Sequence, residues 1–198
     1  RLSVVIPAYN EALRLPSTLS RVRQHLAARK GEHEILVVDD GSTDATAEIA
    51  RAAGSAVRVL RHQPNRGKGY AARRGMLAAT GDRRLMTDAD LSTPIEELAG
   101  LEAALDRGYD VAIGSRAVDG ARIEVRQPAY REAMGRLFNV LVQGLLLPGL
   151  SDTQCGFKLF TARAAEAAFA PCRLDGFSFD VEALYAARRR GMRIAEVP

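Results

Sequence analysis

Asp82-Arg83-Arg84-Leu85-Met86-Thr87-Asp88-Ala89-Asp90-Leu91-Ser92-Thr93-Pro94 reads as an apolar strand running straight into two carboxylates spaced i and i+2. In an open α/β sheet, ligands bind beyond the carboxyl ends of the strands. Two acids at that position can hold a Mg²⁺ or Mn²⁺ ion that also takes phosphate oxygens. The competing reading makes Asp88 and Asp90 turn and cap residues ahead of a helix opening at Pro94.

Two further runs have the same shape. Leu2-Ser3-Val4-Val5-Ile6-Pro7-Ala8-Tyr9-Asn10-Glu11 is a strand that breaks at a proline, and Glu34-Ile35-Leu36-Val37-Val38-Asp39-Asp40-Gly41-Ser42-Thr43-Asp44 is another ending in acids. Strands are expected near 2–7, 35–39, 57–61, 84–87 and 110–114, alternating with helical patterns near 16–29, 43–54, 67–79 and 94–106. Pro16-Ser17, Ser42-Thr43 and Thr93-Pro94 mark helix starts, and Gly54, Gly81 and Gly108 lie near the stops. Such alternation predicts an α/β fold with a mostly parallel central sheet covered on both faces.

Pro-Ala-Tyr-Asn-Glu (7–11), Val-Asp-Asp-Gly-Ser-Thr-Asp (38–44) and Asp-Ala-Asp (88–90) occur in the order seen in family 2 glycosyltransferases, which the chain resembles. Asp152-Thr153-Gln154-Cys155-Gly156-Phe157-Lys158-Leu159-Phe160 and Phe179-Asp180-Val181-Glu182 narrow the resemblance to the dolichyl-phosphate β-glucosyltransferase branch. Dolichyl- and polyprenyl-phosphate mannosyltransferases share the first half. The resemblance covers essentially the whole chain, with residues 117–150 matching least distinctly. It implies a single Rossmann-like GT-A domain over 1–198, with a nucleotide-sugar-binding half (1–116) and an acceptor-binding half (117–198).

The resemblance implies a role for each motif. Pro7, Ala8 and Tyr9 form the wall of the base pocket, Glu11 accepts from the ribose, and Asp39 or Asp40 reads a base N–H; local capping of the 43–54 helix is the structural alternative for the two aspartates. Asp88 and Asp90 hold the metal against the donor diphosphate, and Ala89 between them lines the donor site. Ser92 stands where mannosyltransferase relatives carry an assisting glutamine, so water is expected to complete the shell. Arg116, Arg131 and Lys158 are the basic residues for phosphate, and Asp152 is the acid that orients acceptor or sugar. Asp180 and Glu182 either contact sugar hydroxyls or cap the helix at 181–190.

Asn65-Arg66-Gly67-Lys68-Gly69 is a glycine-bearing turn opening a helix, where free backbone N–H groups and Lys68 can approach a donor. It lacks Walker spacing, and no Gly-x-Gly-x-x-Gly follows the first strand, which excludes the P-loop and dinucleotide-binding readings. A phosphomonoester acceptor is already anionic near neutral pH, so it needs no strong general base.

Composition sets the remaining bounds. The 198 residues, 47% of them hydrophobic, suffice for one core. The formal charge of +4 is scattered along helices with no aromatic-studded basic strand, which argues against nucleic acid and suits anionic lipid headgroups and phosphate. The two cysteines, Cys155 and Cys172, lack metal-ligand spacing and give no disulfide framework. His25, His33 and His62 are read as structural.

No run reaches the roughly 18 to 20 apolar residues of a membrane span, and no signal peptide is seen. Tyr130 to Leu147 reads as an amphipathic helix, covering the core or meeting a membrane or polyprenyl chain. The chain starts on a strand and ends opening another, so native termini, with any anchor, are expected beyond it. The expected activity is inverting transfer of glucose from UDP-glucose to a polyprenyl phosphate at the cytoplasmic face of a membrane. A GDP-mannose-dependent mannosyltransferase and a non-catalytic nucleotide-sugar-binding module are the alternatives.

Overall fold

The apolar runs form strands where the sequence places them. The computed structural model describes residues 1–115 and 142–198. Its strands are β1 (Leu2–Ala8), β2 (His33–Asp39), β3 (Val57–Arg61), β4 (Arg83–Met86), β5 (Val111–Gly114), β6 (Lys158–Thr161) and β7 (Ile194–Val197). The helices are α1 (Leu15–Ala27), α2 (Thr46–Ala52), α3 (Lys68–Ala78), α4 (Leu98–Asp106, preceded by a 3-10 turn at Ile95–Glu97), α5 (Ala162–Phe169) and α6 (Phe179–Arg189).

All seven strands join one sheet in the order β3-β2-β1-β4-β6-β5-β7. β1 pairs in parallel with β2 and β4, β2 with β3, and β5 with β7, whereas β6 runs antiparallel between β4 and β5. This reversal brings the start of β6 to the carboxyl edge of its neighbours, with Lys158 opposite both Met86 and Ile113. Thr161 ends β6 and caps α5, its hydroxyl accepting from the Ala164 N–H at 3.1 Å.

Near-continuous apolar strands are what a sheet buried on both faces requires. Side chains alternate between faces: Val4, Ile6, Ile35 and Val37 pack with α1 and α4, while Val5, Leu36 and Val38 pack with α3, α5 and α6. Of the amphipathic helix expected over 130–147, residues up to 141 lie outside the described residues. At its end Val142 and Leu147 are buried in the core, and Leu145 and Leu146 are exposed.

Helix α3 lies tightly on the sheet because it presents Ala71, Ala72 and Gly75 rather than bulky residues. A Cβ at Gly75 would stand 2.4 Å from Val5 Cγ1 and 2.7 Å from Val38 Cγ2. At the amino edge, Glu34 is a buried carboxylate whose Oε1 accepts from Ser3 Oγ (2.6 Å), Thr80 N (2.7 Å) and Thr80 Oγ1 (2.7 Å). It ties β1 and β2 to the α3–β4 turn.

Gly75→Val is expected to lower unfolding stability by about 2–3 kcal/mol, the cost of overpacking, and an unchanged urea midpoint would contradict this packing. Burial acts to raise the Glu34 pKa, and the hydrogen bonds from Ser3 and Thr80 outweigh it, so the net value lies below the ordinary one. The stability Glu34 contributes is therefore present above the ordinary glutamate range and is lost as pH falls through the lowered folded value. Urea midpoints at stepped pH should show a smaller acid-side loss for Glu34→Gln than for the parent. Equal losses would sink this assignment.

Candidate active site

Asp88 and Asp90 follow β4 directly. The Thr87 N–H closes onto the Val5 carbonyl at 3.0 Å, and the chain then turns so tightly that Leu91 takes φ of +47° and donates to the Asp88 carbonyl. Asp90 supports this turn, its Oδ1 accepting from Ser92 N (3.0 Å) and Ser92 Oγ (2.7 Å). The hydroxyl in the glutamine position is thus engaged with Asp90. Ala89 is buried, and its carbonyl accepts from Thr18 Oγ1 at 2.6 Å. Neither acid caps α4, which has no side-chain cap.

Asp88 sits in a fitted seat. A Cβ on Gly156 would come within 2.1 Å of its Oδ2, so only glycine allows the carboxylate to lie there. Its Oδ1 is buried, with no aligned hydrogen-bond donor among the described residues, and faces the Lys68 ammonium at 2.6 Å. A carboxylate oxygen held against a bare positive charge fits a cation site. Among the described residues no three His, Cys, Asp or Glu side chains converge on one point.

The loops after β1 and β2 are laced together. Asn10, in the left-handed region at φ of 54°, accepts from Thr43 N (2.9 Å). The N–H groups of Asn10, Glu11 and Ala12 donate to Ser42 Oγ, Thr46 Oγ1 and Asp44 Oδ2 in turn. Pro7 and Ala8 end β1 as buried residues, and Tyr9 is 46% exposed. The Glu11 carboxylate is gripped by Arg14 through two hydrogen bonds of 2.6 and 2.9 Å, which raise the Arg14 pKa.

Asp39 and Asp40 do different work from local capping: α2 has no side-chain cap. Asp40 turns inward and accepts from Asn65 Nδ2 (3.0 Å), Arg66 N (2.9 Å) and Gly67 N (2.8 Å), with His62 Nε2 at 2.6 Å. Arg74 can only donate to His62 Nδ1, at 3.0 Å, so Nε2 carries the hydrogen toward Asp40. Asp39 accepts from Ser42 N through Oδ1, and its buried Oδ2 lies 3.0 Å from Arg61 Nε without an aligned hydrogen bond. It is the member of the pair with an acceptor oxygen in reserve.

The backbone at the start of α3 is less open than the sequence suggests. Gly67 N is taken by Asp40, and Gly69 N donates to the Asp175 carbonyl at 2.8 Å. Gly67, at φ of +108°, permits this approach, since a Cβ there would lie 2.4 Å from the Asp175 oxygen. The side chain of Lys68 is therefore what this turn presents to the site.

Lys158, expected at phosphate, is only 1% exposed and pairs with the buried Asp180 at 2.5 Å while also donating to the Cys155 carbonyl. Burial raises the Asp180 pKa, against the opposing pull of Lys158; Lys68 and Asp88 act on the same carboxyl, so the four charges form one cluster. Glu182 also turns inward, accepting from Arg173 N and Leu174 N. Asp152 is 3% exposed and lies at the same end of the sheet. Arg116 and Arg131 lie outside the described residues. The contacts of Asp40 with residues 62–67 and of Glu196 with Ser151 and Asp152 were not anticipated, because no local motif announces partners so far apart in sequence.

The model of the family described as "Glycosyl transferase family 2" matches residues 3–169. The chain belongs to this family. It is 38% identical over 99% of its length to a dolichyl-phosphate beta-glucosyltransferase of Dictyostelium discoideum and 37% identical over 100% to that of Homo sapiens. It spans 64% and 66% of those relatives' lengths, just under two thirds. Among solved structures, glucosyl-3-phosphoglycerate synthase from Mycobacterium tuberculosis in complex with Mn²⁺ and UDP-glucose superposes with a TM-score of 0.73 at 24% identity, covering 99% of this chain and 68% of that one. The mannosyl-3-phosphoglycerate synthase of Rubrobacter xylanophilus gives 0.73 at 20% identity, covering 99% and 64%. The fold is that of the GT-A glycosyltransferases, as the motifs led one to expect.

Gly156→Ala should displace the Asp88 carboxylate and little else. The thermal midpoint is expected to stay within about 4 °C of the parent. Affinity for Mn²⁺ with UDP, read by calorimetry, should fall at least about tenfold. Unchanged affinity would mean that the seat of Asp88 does not matter for binding.

Proposed function

We propose that this chain forms the donor-binding and transferring region of an inverting enzyme that moves glucose from UDP-glucose to a polyprenyl phosphate of the dolichyl type. The observation that carries the reading is the Asp88 carboxylate, seated on Gly156 just beyond the carboxyl end of β4 and facing Lys68. The choice of glucose and of a lipid phosphate rests on relatives named dolichyl-phosphate beta-glucosyltransferase that are 37–38% identical along nearly all of this chain.

In this mechanism an acceptor phosphate oxygen forms a bond to the anomeric carbon as the bond from that carbon to the UDP β-phosphate oxygen breaks, and UDP departs with the electron pair. The acceptor is ionised near neutral pH, so no protein base has to remove a proton. Pro7, Ala8 and Tyr9 line the base, Asp39 reads a base N–H through its Oδ2, and Glu11 reaches the ribose once Arg14 yields one of its two hydrogen bonds. Asp88 and Asp90 would hold a Mg²⁺ or Mn²⁺ ion, which when bound neutralises charge building on the leaving diphosphate.

Lys68 supplies a further cation beside Asp88. Arg116 and Arg131, assigned from the resemblance, bind acceptor phosphate as forks, and Asp152 orients the acceptor or the sugar. No helix among the described residues is long and apolar enough to cross a membrane. On this reading the lipid phosphate is met at the membrane surface, on the cytoplasmic side, as relatives named for dolichyl phosphate suggest.

Calorimetric titration of UDP, GDP, UDP-glucose and GDP-mannose with Mn²⁺ or Mg²⁺, repeated with EDTA, tests the donor. Metal-dependent binding of UDP-glucose is expected, and a preference for GDP-mannose would overturn the glucosyl assignment. Asp90→Ala should cut transfer to a polyprenyl phosphate by more than about a hundredfold, the rate equivalent of several kcal/mol of lost charge stabilisation, with the fold intact by circular dichroism. Metal-dependent turnover retained in that variant would remove the core of the mechanism.

A further inference from the structure

Glu196 sits near the end of β7, opposite Ile113 of β5 and so at the carboxyl edge of the sheet. Its two carboxylate oxygens each accept one backbone N–H from a single short segment: Oε2 from Ser151 and Oε1 from Asp152, both at 2.8 Å. The segment is fixed on either side by buried residues, Leu150 at 3% and Thr153 at 0% exposure. The next residue of β7, Val197, accepts the Ser115 N–H at 2.8 Å and so also holds the chain leaving β5.

A neutral amide or hydroxyl would satisfy a backbone N–H without placing negative charge at the edge where an anionic donor and acceptor must come. Two charge-assisted bonds from one planar group fix the relative orientation of the two consecutive peptides that flank Ser151, the second of which leads into Asp152, which a single neutral acceptor cannot do. The rotation of that peptide sets where the Asp152 side chain starts.

We infer that Glu196 is a positioning residue for transfer: by clamping the Ser151 and Asp152 N–H groups it sets the direction of the Asp152 carboxylate toward the acceptor. The inference rests on the role of Asp152 in the proposed reaction. Glu196 touches no substrate in this account and acts through Asp152 alone. Gln can accept only one of the two N–H groups and turns its own amide N–H₂ toward the other, so it serves as the graded replacement.

The test compares Glu196→Ala, Glu196→Gln, Asp152→Asn and the double variant Glu196→Ala/Asp152→Asn in steady-state transfer from UDP-glucose to a polyprenyl phosphate, with UDP binding measured in each. Glu196→Ala is expected to lower kcat/KM for the lipid phosphate by up to about a hundredfold, the cost of misplacing a group by about an ångström, and Glu196→Gln by less. UDP affinity should stay within about twofold, and in the Asp152→Asn background Glu196→Ala should change transfer by no more than about twofold. A full additional loss in that background, or a parallel loss of UDP affinity, makes Glu196 a structural residue and overturns the inference. Loss in Asp152→Asn with full activity in both Glu196 variants overturns it while leaving the proposed reaction standing. Undiminished transfer by Asp152→Asn instead removes the role of Asp152, and the inference with it.

Discussion

A carboxylate can be taken out of water only when donors or cations meet it, because the unpaired charge costs several kcal/mol. The carboxyl edge of this sheet gathers Asp39, Asp40, Asp152 and Asp180 as buried acids. Asp39, Asp40 and Asp180 are each met from another part of the chain. Asp40 draws in residues 62–67, Asp39 faces Arg61, and Asp180 pairs with Lys158. The loops around the site are held less by their own turn preferences than by these obligations. The acids thus organise the edge before any ligand arrives.

On the proposed reading Asp88 gives the edge its chemistry. Its Oδ1 meets no aligned N–H or O–H, only the ammonium of Lys68, a flexible point charge on a four-carbon stem. An ammonium can be moved aside by a stronger cation without breaking any backbone structure, whereas Asp40, bonded to the N–H groups of Arg66 and Gly67, cannot let go without unmaking the start of α3. On that reading, neighbouring acids of the same residue type are divided between scaffold and reagent by the kind of donor that meets them.

The strands were legible because parallel strands buried on both faces must be runs of apolar, β-branched residues, and Val4 to Ile6 and Ile35 to Val38 are such runs. β6 and α5 were harder to read: Lys158-Leu159-Phe160-Thr161 is short, begins with a lysine and passes straight into a helix through its own cap. Its reversed direction depends on the path of the chain between β5 and β6, which no local pattern records. At the site, the motif residues were legible as a set but their orientations were not. Whether Asp180 faces a sugar or Lys158, and whether Lys158 faces a phosphate or Asp180, is decided by burial across 22 residues of sequence. Glu196 was not legible at all, since a glutamate near the end of an edge strand looks like ordinary surface.

On the proposed reading Asp88 and Asp90 alone are a sparse ligand set for a divalent ion. Mg²⁺ in particular keeps most of its water unless phosphate oxygens replace it. On the proposed reading this weakness is useful. The ion is held well only when the donor diphosphate supplies the remaining oxygens, so metal and nucleotide bind as a linked pair, and each raises the affinity of the other by the same factor. Lys68 would strengthen that linkage: its ammonium neutralises Asp88 and opposes a lone metal ion, and a bound diphosphate would give it a second anion to turn to. The same contact would thereby bias the edge toward a complete donor rather than toward free metal.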